Sequence, residues 1–79
     1  SKSELTALIV QSKVNKTILA VMKVGKRWSL IKEILEKEKI INKALIALNI
    51  GMPDQIIQYA SKYNMDDMPY FSLILIRPN

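Results

Sequence analysis

Thr17-Ile18-Leu19-Ala20-Val21-Met22-Lys23-Val24, closed by Gly25, is the stretch on which the fold turns. It is short, almost wholly apolar, rich in β-branched residues, and bounded by a polar turn and a glycine. Those features describe a strand covered on both faces. The rival is one helix running from Ser3 straight to Val24. It would gather Val10, Val14, Ile18 and Val21 on one side and Lys13, Lys16, Lys23 and Arg27 on the other. The polar break at Val14-Asn15-Lys16 favours the strand.

Upstream of that strand, Ser3 can cap a short helix reaching Val14, with Leu5, Leu8 and Ile9 among its apolar positions. Downstream, Lys26 to Lys39 reads as a helix. Trp28, Ile31 and Leu35 share a face joined by Ile34, and Glu33 stands four residues before Lys37 in the favourable orientation. Ala44-Leu45-Ile46-Ala47-Leu48-Asn49-Ile50 then repeats the first pattern, an apolar run ended by Gly51. Pro53-Asp54 marks a turn, Gln55 to Tyr59 offers a third strand, and Tyr70 to Ile76 is the clearest strand in the chain. The unit from Thr17 to Ile50 implies a right-handed crossover between two parallel strands. The expected class is therefore α/β: a small mixed sheet of about four strands with packing helices.

Composition limits the chemistry. The 79 residues make one domain at most, and histidine and cysteine are both absent. Thiolate or imidazole metal sites and disulfides are thereby excluded, the commonest acid–base group is missing, and no metal ligands or catalytic residues are assigned. Apolar runs fall far short of the ~20 residues of a membrane helix, and Ser1-Lys2-Ser3-Glu4 lacks the plan of a signal peptide. A cytoplasmic setting with no membrane partner is expected. The net charge of +5 is uneven: six basic residues and no acid lie between Leu5 and Lys32, against two basic and three acidic from Ala44 onward. A solvated face explains that run more simply than an anionic partner does.

Two strand ends remain as candidate sites: Met22-Lys23-Val24-Gly25, and Asn49-Ile50-Gly51-Met52-Pro53-Asp54-Gln55. Ligands of open α/β sheets bind at the carboxyl ends of parallel strands, where glycine permits positive φ and close approach. The order and spacing of these segments resemble the C-terminal half of the tetrapyrrole methylase family, S-adenosylmethionine-dependent enzymes of cobalamin and sirohaem synthesis. Pro69-Tyr70-Phe71-Ser72-Leu73-Ile74-Leu75-Ile76-Arg77 is similar to the closing strand of the precorrin-2 carbon-20 methyltransferases within that family. The resemblance covers roughly Thr17 to Arg77.

The resemblance implies the C-terminal lobe of a longer two-lobe enzyme, residues 1–79 being one domain of it and the N-terminal lobe being absent. It implies S-adenosylmethionine as cofactor, precorrin-2 or cobalt-precorrin-2 as substrate, and a homodimer formed through the full-length enzyme. Met22 matches the strand-end methionine beside the cofactor's adenosine, and Gly51 the turn glycine facing the same ligand. Val24, Ile50 and Met52 complete the implied cofactor contacts. The chain departs from the family pattern where Lys23 and Val24 separate Met22 from Gly25, and where Met52 replaces a threonine. The lobe alone is expected to be inactive.

Two other classes compete. Ala47, Gly51-Met52 and Ile57 mimic helix-turn-helix spacing, with Asp54 to Tyr63 as recognition helix. That helix would offer only Lys62 to phosphates, so no nucleic-acid partner is expected. Tyr59, Tyr63, Met65, Met68, Tyr70 and Phe71 suit an interaction module, since aromatics and methionine are enriched at interfaces.

Overall fold

The computed structural model of the protein describes residues 1–78. The middle of the deciding stretch is extended: β1 spans Leu19–Met22, β2 Ala44–Leu48, β3 Ile56–Tyr59 and β4 Ser72–Ile76. Helix α1 (Lys2–Asn15) precedes β1, and α2 (Trp28–Lys37) links β1 to β2 after a 3-10 turn at Gly25–Arg27. Together they make an α/β domain of one four-stranded sheet and two helices.

The sheet corrects the sequence reading. Its order is β1-β4-β2-β3, and every neighbouring pair is antiparallel. Both β1 and β2 pair antiparallel with β4, so they point the same way, as the crossover through α2 requires. They are not neighbours, because β4 lies between them: Ile76 stands opposite Leu19 on one side and Ala44 on the other. The unit is a split β–α–β and the sheet is not mixed. The handedness rule constrains how a crossover connects two strands; it leaves open whether a later strand inserts between them.

Helix ends also differ from expectation. The cap of α1 is Ser1, not Ser3. Ser1 Oγ accepts from the Glu4 amide at 3.4 Å and donates to Glu4 Oε1 at 3.0 Å, while the carboxylate also receives the Ser1 ammonium at 3.5 Å. A serine three residues before a glutamate satisfies two donors reciprocally, which Ser3 cannot do. The hydroxyl bond and the ammonium charge hold the Glu4 carboxyl below its ordinary pKa. At the other end, Lys16 takes a left-handed conformation (φ 55°) and closes the helix.

The core lies between the helices and one face of the sheet. Trp28, Ile31, Ile34 and Leu35, the predicted apolar face of α2, are all buried. They join Leu5 and Ile9 of α1, Val21 of β1, Ala44, Ile46 and Leu48 of β2, and Ile74 and Ile76 of β4. Leu8 sits outside this cluster and is 49% exposed. The helices are tied together by Lys2–Glu33 (3.2 Å) and Lys13–Glu38 (3.4 Å), which absorb two cations of the basic amino-terminal half. These pairs are exposed and contribute little to stability.

The connection from β3 to β4 is anchored by Tyr63, whose ring meets Trp28 edge-on with centroids 5.8 Å apart. Its hydroxyl donates to the Asp67 carbonyl. Burial first, and the Asp67 carboxylate second, push the Tyr63 phenol above its ordinary pKa.

Ile31→Ala should destabilise by about 2–5 kcal/mol, the cost of a cavity among fully buried neighbours. Leu8→Ala should change stability by less than about 0.5 kcal/mol. Urea unfolding followed by circular dichroism measures both. Tyr63 links stability to pH. Its pKa is raised in the folded state, so the stability it contributes is present below the unfolded value, about 10. That stability falls away as pH rises through the higher folded value. Tyr63→Phe should lose about 1 kcal/mol at neutral pH with the hydrogen bond, and should show a shallower loss of stability above pH ~10.

Candidate functional site

The two strand ends singled out by sequence lie at the same end of the sheet, flanking the start of β4. After Met22 the Lys23 amide donates to the Ser72 carbonyl at 2.9 Å; after Leu48 the Ile50 amide donates to the Phe71 carbonyl at 3.0 Å. The segment entering β4 is thus clamped from both sides. Met22, Lys23, Ile50, Phe71 and Ser72 line a depression of about 240 Å³.

Each tip uses the same backbone device. Lys23 and Gly25 have φ of 53° and 51°, and Asn49 and Gly51 have φ of 54° and 79°. In both turns a non-glycine residue in the left-handed region is followed two residues later by a left-handed glycine. Lysine there carries a steric cost of ~1–2 kcal/mol that asparagine partly escapes. The Met22 turn is held by Arg27, whose Nη2 donates to the carbonyls of Met22 (2.7 Å) and Lys23 (3.1 Å). The second turn is held by Asn49 Nδ2 donating to Asp54 Oδ2 (3.1 Å) and by the Gly51 amide donating to Gln55 Oε1 (3.0 Å). Lys23 also places its ammonium over the Tyr70 ring at 5.8 Å, and Tyr70 packs edge-on against Phe71.

The residues implicated by sequence part company here. Met22 is 63% exposed and Ile50 38% exposed, and both line the depression. Gly51 borders it in sequence, yet its amide is already engaged by Gln55. Met52 is exposed and outside the lining. Val24 is 1% exposed: the left-handed turn at Lys23 swings its side chain into the core. Lys23 belongs to the first candidate strand end and lines the depression, while Arg27 and Phe71 enter as neighbours that sequence reasoning did not assign to the site. Arg27 follows the two carbonyls it binds by four and five residues, a spacing visible in the sequence only once the turn is known.

The arrangement offers apolar surface and few free main-chain donors. The amides of Lys23, Ile50, Gly51 and Met52 all have internal acceptors. Ser72, buried at the start of β4, has a hydroxyl with no hydrogen-bond partner among the described residues. Among those residues no group of three or more metal-capable side chains occurs, and no helix is long and apolar enough to cross a membrane.

The helix-turn-helix alternative is corrected. Asp54 to Tyr63 holds a turn, strand β3 and a 3-10 turn at Ala60–Lys62, not a recognition helix. Pro53-Asp54 breaks the chain, and Ile56 and Ile57 pair with Leu48 and Ala47. Comparisons with family models, with curated proteins and with solved structures return no match to this chain.

Substitutions separate backbone demand from space. A Cβ at Gly51 would meet nothing within 4 Å, yet φ is +79°. Gly51→Ala should therefore destabilise by about 1 kcal/mol through strain alone. Lys23→Gly should be neutral or stabilise by up to about 1 kcal/mol, with the strain relief offsetting the lost cation–π contact. Thermal unfolding of the two variants beside the parent checks both signs.

Proposed function

We propose that this chain is the C-terminal lobe of an S-adenosylmethionine-dependent methyltransferase that methylates carbon 20 of precorrin-2 or cobalt-precorrin-2. The proposal rests on the resemblance of Met22 to Gly25, Asn49 to Gln55 and Pro69 to Arg77 to the tetrapyrrole methylases. One structural observation supports it: the ends of β1 and β2 share a depression lined by Met22, Ile50 and Phe71.

The sulfonium of the cofactor is already an activated methyl donor, so the protein's task is to orient donor and acceptor and exclude water. This chain's part in that task is apolar. Met22, Ile50 and Phe71 suit the faces of an adenosine, with Lys23 at the rim beside Tyr70. The engaged amides leave hydrogen bonding of the adenine edge to groups from elsewhere in the enzyme. A depression of 240 Å³ is smaller than the ~300–1,000 Å³ of a complete ligand pocket. It fits half of a cleft whose other wall belongs to a second lobe. On this reading the parent is a cytoplasmic homodimer, and the isolated lobe binds cofactor weakly and transfers no methyl group.

Titration of the isotope-labelled chain with S-adenosylhomocysteine should give a dissociation constant of about 1–10 mM, equivalent to ~3–4 kcal/mol of binding. Shifts should centre on the Met22 methyl, Ile50 and Phe71, and Met22→Ala should weaken binding severalfold. The absence of shifts at 20 mM ligand, or shifts centred away from the two tips, would refute the proposal.

A further inference from the structure

The helices cover one face of the sheet and leave the other open. Along β2 and β4, burial alternates, with Leu45, Ala47, Leu73 and Leu75 on the open side. Cross-strand register adds Ala20 and Met22 from β1, and Ile57 and Tyr59 from β3. An antiparallel sheet with one face in water normally alternates apolar with polar residues. Here both faces are apolar. Ile57 is 65% exposed and Tyr59 57% exposed, and Leu45, Ala47, Ile57, Leu73 and Leu75 line a shallow trough of about 200 Å³. A contiguous apolar patch of this kind marks a docking surface.

The rim identifies the occupant. At the end of the sheet away from Met22, a second concavity of about 410 Å³ is lined by Asn42, Lys43, Leu45, Tyr59 and Arg77. It shares Leu45 with the apolar trough. The Arg77 amide donates to the Lys43 carbonyl at 2.9 Å, so the two basic residues lie opposite each other on adjoining segments of the chain. Like charges so placed repel. Among the described residues no carboxylate forms an ion pair with either. The strands carry no acidic residue at all; the acids lie in the helices, the α2 cap and loops. The strands of a second copy would therefore bring no carboxylate to this rim.

We infer that the open face docks an amphipathic helix from another polypeptide segment, its apolar stripe over Leu73, Leu75 and Ile57 and an acidic side chain against Lys43 and Arg77. Dimensions agree. Four strands at normal spacing make a face about 14 Å wide, and five residues of strand extend about 17 Å. A helix of about 11 residues is ~16 Å long and, with side chains, about 10–12 Å across. A carboxylate between Lys43 and Arg77 removes their mutual repulsion, so charge sets the direction in which the helix lies.

Two blocked helical peptides of about 16 residues test this: one with a leucine stripe and flanking glutamates, and a twin with lysines in place of the glutamates. Methyl-detected NMR of the whole chain should show the glutamate peptide perturbing Leu45, Ile57, Leu73 and Leu75. It should bind about tenfold or more tightly than its twin. Lys43→Glu with Arg77→Glu should invert that preference while spectral dispersion shows the fold retained. Ile57→Lys, at an exposed position, should abolish binding of both peptides. Equal affinity for the two peptides would overturn the inference. So would shifts confined to the helices, binding of neither peptide, or a dimer in sedimentation equilibrium that Ile57→Lys disperses. Binding to phosphatidylglycerol vesicles without binding to either peptide would assign the face to a membrane instead.

Discussion

The pairing of β4 with both β1 and β2 is the constraint on which the remainder of the structure depends. Ser72 to Ile76 supplies hydrogen-bond partners to two strands that the crossover through α2 sets pointing the same way but leaves apart. Without β4, β1 would have no partner and the inner faces of Val21 and Ile46 would not form one surface for Trp28, Ile31 and Leu35. The pairing is long-range in sequence, so its loop-closure entropy must be overcome before the core can close. The clamp at Ser72 and Phe71 then brings the Met22 and Ile50 turns to one depression. Fold and candidate site thus share a single cause.

Element positions were legible because they are encoded locally. Trp28, Ile31, Ile34 and Leu35 recur at helical spacing, and all four are buried. The four segments expected as strands are strands within two residues of their anticipated starts and ends. What escaped was pairing. A continuous apolar run marks a strand but not its neighbours, and β1, as apolar as β2 and β4, lies at the edge of the sheet. The runs at Leu19–Met22, Ala44–Leu48 and Ser72–Ile76 are nearly interchangeable in character. The same limit explains Val24. Its position at the end of an apolar run suggested a ligand contact, whereas one left-handed residue, Lys23, turned it inward. Backbone conformation at a lysine has no signature in composition.

The continuous apolar runs carried a second message. Such runs imply strands covered on both faces, and in this chain only one face is covered. The residues of the open side, Leu45, Leu73, Leu75 and Ile57, are as apolar as those packed on the helices. An isolated sheet gains nothing from leucine in water, where exposed apolar strands invite aggregation. The composition of β2, β3 and β4 is thus consistent with a three-layer arrangement of which this chain contributes two layers. The neighbouring cations Lys43 and Arg77 make the same point in electrostatic terms, since neither has an ion pair among the described residues.

The two proposed surfaces meet at Met22. Its side chain lines the depression at the strand tips and lies on the open face opposite Leu73. A helix seated over Leu73 would restrict the rotamers open to Met22, an otherwise exposed and flexible thioether. Ordering Met22 in advance would lower the entropic cost of a ligand that packs against it. Cover of the sheet and occupation of the depression would then favour each other by the same free energy in either direction. A chain bearing only one of the two would hold its ligand more weakly than its lining residues suggest.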